Sequence, residues 1–138
     1  MDLVIDANIL FAALLVENVS AKLIYNHNIH LYAPDFLFEE FEKYKQLLLE
    51  KSNRTEEEFN IAMKLLKKKI RIIAKEEFQS YLEKALQISP DHKDAAYFAI
   101  ALKMKIPLWS NDKQLKGKQN IITVYSTHEL VKLLNINL

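Results

Sequence analysis

The chain begins with a short apolar run, Leu3-Val4-Ile5, which breaks at Asp6 and resumes past Asn8 as far as Val16. Three apolar residues, an acid and a second apolar run predict a buried strand that turns into a helix. The helix spans Ala7 to about Val16, with Asp6 at the carboxyl end of the strand and at the N-cap position. Ser20 opens a second short helix, in which Leu23, Ile24 and Asn28 recur at helical spacing. Ile29-His30-Leu31-Tyr32-Ala33 predicts a second strand ended by Pro34, and a long helix follows from about Asp35 to Lys51.

Ser52-Asn53-Arg54-Thr55 interrupts that helix, and Thr55 with Glu58 forms a capping box for the next. Ile70 to Ala74 predicts a third strand, and Lys75 to Ile88 a helix. After Ser89-Pro90-Asp91, a helix rich in small residues runs from about Asp91 to Met104. Ile106 to Ser110 predicts a fourth strand, since Pro107 is tolerable near a strand start. Asn111 to Gly117 reads as a turn and Ile121 to Val124 as a fifth strand. Ser126 and Glu129 form a second capping box, opening a helix to about Leu134. Short strands alternating with helices imply an α/β fold: a central parallel sheet of about five strands, with helices on both faces as three α/β/α layers.

Composition narrows the class. With 138 residues, half of them hydrophobic, the chain suits a single domain over 1–138, and it shows no repeat, linker or low-complexity tract. Cysteine is absent, which excludes disulfides and thiolate metal sites. The first lysine is Lys22, so the N-terminal apolar run has no basic segment before it. The uncharged stretch within it is far shorter than the roughly 20 residues of a membrane span. A cytoplasmic protein is expected. Net charge is only +1, although Lys64, Lys67, Lys68, Lys69 and Arg71 form one basic group and Lys113, Lys116 and Lys118 another. Ordinary solvated faces account for such groups.

Several acids fit a bland surface poorly. On a helical wheel over Asp35 to Lys51, Leu37, Phe41, Tyr44 and Leu48 form the apolar stripe. Glu39 falls on the polar face, whereas Glu40 lies at the stripe's edge, where partial burial calls for a partner. In the helix starting near Asp91, Asp94 shares a face with Tyr97, Phe98 and Ala101, while His92, Lys93 and Lys103 point elsewhere. Asp91 lies one turn earlier, and Asp112 follows the fourth strand. Each acid has an ordinary role open to it as well, as a helix cap, a turn residue or a partner for lysine. Asp6 and Asp112 nevertheless both follow strand ends, and carboxylates gathered there repel unless a cation neutralises them. An all-oxygen set suits Mg²⁺ or Mn²⁺. His27, His30, His92 and His128 have no metal-ligand spacing, and Trp109 is expected in the core.

The order Val4-Ile5-Asp6-Ala7-Asn8-Ile9-Leu10, then Ala33-Pro34-Asp35-Phe36-Leu37-Phe38-Glu39-Glu40-Phe41, then the stretch from Asp91 to Asp112 resembles the PIN-domain ribonuclease family. The likeness is strongest to the small VapC-type toxins. It covers essentially the whole chain and implies a metal-dependent nuclease. It further implies that Asp6, Glu40, Asp94 and Asp112 form an acidic quartet that binds metal and carries catalysis. Asn8, Asp91 and Ser110 match supporting positions that orient ligands. Ser110 stands where the family often has Thr, Met104-Lys105 where it often has Gly, and Thr55 to Lys69 matches no signature.

An Mg²⁺- or Mn²⁺-dependent endoribonuclease is therefore expected, with Lys113 and Lys116 as candidate phosphate contacts. The resemblance also implies a homodimer and a cognate antitoxin protein, with contacts on the middle helices. Two other readings are an RNA-processing nuclease outside toxin systems and a non-catalytic RNA- or protein-binding module. A phosphoacceptor receiver domain would show paired acids at the first strand, and here Asp6 stands alone.

Overall fold

The structure is a computed structural model describing residues 1–15 and 18–136. Five parallel strands form one sheet: β1 (Asp2–Ile5), β2 (His30–Pro34), β3 (Ile70–Ile73), β4 (Leu108–Trp109) and β5 (Val124–Tyr125). Their spatial order is β3-β2-β1-β4-β5. The chain thus steps outward from β1 to β3, then returns to the other side of β1. That reversal opens a crevice at the carboxyl ends of β1 and β4, the usual ligand position in an open α/β sheet.

Side chains alternate between the two faces of a strand, and β1 shows the consequence. Leu3 and Ile5 belong to one buried cluster, and Val4 belongs to the other. The first cluster packs beneath α1 (Ala7–Leu15), α2 (Val19–Ile24), α4 (Lys45–Lys51) and α5 (Glu56–Lys69). The second lies under α6 (Lys75–Phe78), α7 (Leu82–Ile88) and α8 (Ala95–Met104), whose Ala95 to Ala101 are all buried. The three layers are those expected from the alternation of elements. Val16, the expected end of the first helix, lies outside the described residues.

Boundaries differ from expectation where a side chain or a tight turn intervenes. The helix expected over Asp35 to Lys51 is two, α3 (Phe36–Lys43) and α4, joined at Tyr44, whose backbone (φ −102°, ψ 11°) leaves the helical range. Tyr44 is correspondingly 44% exposed rather than part of the apolar stripe, while Leu37, Phe41 and Leu48 are buried. A 3₁₀ turn, Gln79–Tyr81, separates α6 from α7 where one helix was expected. α2 begins at Val19, one residue before the expected Ser20, capped by Asn18, whose side chain accepts from the Ala21 amide, and Asn28 falls beyond its end. Ile121 and Ile122 donate their amides to the Gln119 side chain, so the fifth strand starts only at Val124. Asn111 to Gly117 is no plain turn: Asp112 caps a short helix, α9 (Lys113–Gly117).

Both capping boxes form, Thr55/Glu58 on α5 and Ser126/Glu129 on α10 (Thr127–Leu133). Thr55→Ala removes one side-chain acceptor and exposes an unpaired amide. Its expected effect is a loss of about 1 kcal/mol, read as a lower denaturant midpoint at unchanged slope. No helix among the described residues is long and apolar enough to cross a membrane.

Candidate active site

Asp6 closes β1 and is only 6% exposed, one of the few buried polar residues. Its carboxylate is held from two sides. Ser110 Oγ donates to Oδ2 at 2.7 Å, and the Asn8 amide donates to Oδ1 at 3.4 Å. Burial is the main cause that raises its pKa, with Asp112 adding repulsion and the Ser110 bond opposing it. Asn8 therefore supports Asp6 through its backbone, and its side chain lines the cavity described below.

Ser110 is itself 2% exposed and links two acids. While donating to Asp6, its hydroxyl accepts from the Asp112 amide at 3.0 Å. Adjacent Asn111 is fastened to the start of α10: its Oδ1 accepts from the Thr127 amide and its Nδ2 donates to Thr127 Oγ1. Thr127 Oγ1 also accepts from the Trp109 indole nitrogen and shares a hydrogen bond with Ser20. The loop carrying Asp112 is thus pinned at three successive residues. Sequence reasoning missed Asn111 and Thr127, because the Ser126/Glu129 capping box already accounts for the polar residues there. An amide followed by a strand-end acid was the only available signal.

Asp94 ends a 3₁₀ turn, His92–Asp94, rather than sitting inside a continuous helix from Asp91. Asp91 caps that turn by accepting from the Lys93 amide, and it is exposed. The Asp94 side chain makes no capping bond to α8 and is half-buried. Burial, then repulsion from Asp6, Asp91 and Asp112, pushes its pKa up to about 6, with only Lys93 opposing. Tyr97, one turn on, is buried and also pushed up, by burial and then by Asp6, Glu40 and Asp94.

A cavity of about 440 Å³ gathers Asp6, Asn8, Glu40, Lys93, Asp94 and Tyr97. Two expectations need correction here. Glu40 is exposed, not partly buried, because its place at the stripe edge aims it at the cavity mouth rather than into the core. Lys93 lines the cavity, because the wheel that turned it away assumed a regular helix where the chain forms a 3₁₀ turn. Lys113 and Lys116, the candidate phosphate contacts, are both exposed, and Lys116 also pairs with Glu129. Asp112 does not line the cavity but faces it closely enough to raise both Asp6 and Asp94. All four histidines are exposed, and Trp109 is fully buried.

The donor chemistry suits a hard divalent cation. The carboxylates supply oxygen only, and they repel one another with a single lysine as counterion. Among the described residues, no three Asp, Glu or His side chains stand close enough to enclose an ion by themselves. A cation that keeps several of its waters, as Mg²⁺ does, is compatible with that spacing.

The electrostatics give a pH signature in the absence of metal. The Asp94 pKa lies above its unfolded value of 3.8, at about 6, so the folded state binds the extra proton. That contribution to stability is fully present below pH 3.8 and is lost as pH rises through about 6. With chelator present, the unfolding midpoint of wild type should drop relative to Asp94→Asn across that window. A constant difference would show that the two carboxylate environments, folded and unfolded, are alike.

The parallel sheet carries its acids at the switch point, where an open α/β sheet binds its ligands. Residues 4–129 match the PIN domain family, and the chain belongs to it. The family is one of nucleases that act on RNA and typically use Mg²⁺ or Mn²⁺, so the coarse assignment is a hydrolase acting on nucleic acid. No curated protein matches the chain in sequence. The crystal structure of PAE2754 from Pyrobaculum aerophilum is similar in fold, with a TM-score of 0.63 and 19% identity. The likeness covers 98% of this chain and 90% of that one.

Proposed function

We propose that the chain, acting as one nuclease domain over 1–138, is a divalent-metal-dependent endoribonuclease. The observation that carries this reading is the mutual repulsion of Asp6, Asp94 and Asp112 at the switch point, with Asp94 raised to about 6. Such crowding destabilises a domain unless a cation is part of its working state. Asp6, Asp94 and Asp112 would hold the ion directly or through water, with Glu40 completing the charge from the cavity mouth. A bound Mg²⁺ or Mn²⁺ supplies Lewis acidity at the phosphate and a more acidic water.

The rest falls to the chain itself. Ser110 fixes the orientation of Asp6 and ties the Asp112 backbone to it. Glu40, exposed at the cavity, orients the attacking water. Lys93 at the cavity wall and Lys113 beside Asp112 receive the flanking phosphates as point charges. Buried Tyr97 walls off the cavity floor as a neutral phenol.

The test is cleavage of single-stranded RNA by purified protein with Mg²⁺, with Mn²⁺ and with excess EDTA. Cleavage is expected in the first two and none in the third. Undiminished cleavage in EDTA would refute the proposal. The spacing of the carboxylates favours one second reading, a PIN-like module that binds RNA without cutting it. That reading expects metal-independent binding and no cleavage at any enzyme concentration.

We further propose the toxin role of a toxin–antitoxin pair, with a homodimer and a cognate antitoxin protein. This finer role rests on the likeness of motif order to the VapC-type toxins. Coexpression with the neighbouring small reading frame should yield a complex that no longer cleaves RNA. Full cleavage by the coexpressed pair would assign the chain to RNA processing instead.

A further inference from the structure

A second cavity, about 300 Å³, lies next to the acids, between the start of α3, the α6/α7 pair and the 3₁₀ turn at His92–Asp94. Phe36 and Lys93 line both this cavity and that of the acids, so the two adjoin across a shared wall. Two aromatic rings, half-buried Phe36 and buried Phe78, line the new cavity together with Leu82. Tyr97 meets the Phe36 ring edge to face, with centroids 6.1 Å apart at 87°, and steadies that wall.

The polar groups of the cavity are of two kinds. Lys75, His92 and Lys93 are exposed at its rim, and neither lysine belongs to an ion pair among the described residues. Asp35 stands beside them as a fixed acceptor. Its amide donates to the Ile73 carbonyl at 3.1 Å, extending the pairing of β2 with β3, and its Oδ2 accepts from the Lys75 amide at 3.0 Å. The side chain makes no capping bond to α3, and Oδ1 accepts from no group among the described residues. Cations at the rim, an aromatic-lined cleft and one available carboxylate oxygen match the phosphate, ring and amino group of a nucleotide.

We infer that this cavity holds one base of the RNA substrate, beside the phosphate at the acids, and selects a base with an exocyclic amino group. The base stacks on Phe36, Lys75 and Lys93 receive the phosphates on either side of it, and Asp35 Oδ1 accepts from the amino group. Cytosine and uracil separate the reading, because they match in size and differ at that edge. Cytosine presents an amino donor there and uracil a carbonyl acceptor, which a carboxylate repels. The inference rests on the nuclease reading for RNA being the substrate, and it adds the base that the site prefers.

The test is fluorescence anisotropy of labelled oligocytidylate and oligouridylate in EDTA, which reads binding without cleavage. Wild type should bind oligocytidylate about tenfold more tightly than oligouridylate. Phe36→Leu keeps an apolar side chain and loses the stacking face, so it should weaken oligocytidylate binding about tenfold, and Phe36→Tyr should restore it. Asp35→Asn still accepts from the Lys75 amide through its side-chain oxygen, and its Nδ2 donates to the uracil carbonyl, so the preference should shift to oligouridylate. Equal binding of the two RNAs by wild type, or no binding of either, would overturn the inference. So would a Phe36→Leu variant as tight as wild type, or an Asp35→Asn variant that keeps the wild-type preference. Failure of the nuclease reading looks different: cleavage with Mg²⁺ is then absent while the base preference and its response to both substitutions remain.

Discussion

Asp94→Asn should abolish RNA cleavage while leaving the metal-free protein no less stable than wild type. Both halves follow from the same geometry. Asp94 is half-buried, makes no capping bond to the helix it precedes, and faces Asp6, Asp91 and Asp112 with Lys93 as its only relief. A residue kept for the fold would lose stability when replaced by its amide. Here the amide removes a charge that the fold disfavours above pH 6, so the chelated variant should unfold at an equal or higher midpoint at pH 8. Cleavage should meanwhile fall on the order of a hundredfold or more, as expected for a group that acts on transition-state charge. Activity measured with Mg²⁺ and denaturant unfolding measured with EDTA are the two readouts. A variant that loses stability and keeps activity would make Asp94 a structural cap.

Trp109→Ala should be the most damaging change in the core. Trp109 is fully buried in β4 beside β1, its carbonyl accepts from the Asp6 amide at 3.0 Å, and its indole nitrogen donates to Thr127 at 3.1 Å. Truncating a buried aromatic of this size costs about 3–5 kcal/mol through lost burial and the cavity left behind. A domain with about 5–15 kcal/mol in total has little left after such a loss. The midpoint of chemical unfolding should fall by a large fraction of its wild-type value. Trp109→Phe keeps most of the volume and loses only the hydrogen bond, so it should fall much less. Equal effects of the two would assign the loss to the Thr127 contact rather than to packing.

The layered fold was legible because its signals are local. Alternating apolar runs marked the strands, and Thr55/Glu58 and Ser126/Glu129 marked two helix starts correctly. The strand order was not legible. Nothing in residues 70 to 108 records that β4 lands beside β1 rather than beyond β3. Helix interruptions at Tyr44 and at Gln79–Tyr81 were missed because no Gly or Pro marks them.

The candidate site divides the same way. Asp6 and Asp112 stood out because they follow strands, and Asp94 because it shares a face with buried aromatics. The wheel singled out Glu40 over Glu39, yet it gave the wrong reason. Glu40 is exposed at a cavity mouth, not tucked into the core. Lys93 was misplaced because the wheel extended a regular helix through a 3₁₀ turn, which rotates each side chain further per residue. Thr127 is joined to Ser20, Trp109 and Asn111, partners up to 107 residues distant, and no sequence window holds such a set.

Whether the acids form a divalent-cation site is decided most directly by Mn²⁺ binding to the purified protein, followed by titration calorimetry at pH 8. Wild type should bind Mn²⁺ saturably, and Asp6→Asn and Asp94→Asn, shown to be folded, should each lose that binding. Wild type that binds no Mn²⁺, or binding that survives both substitutions, would contradict the site described here.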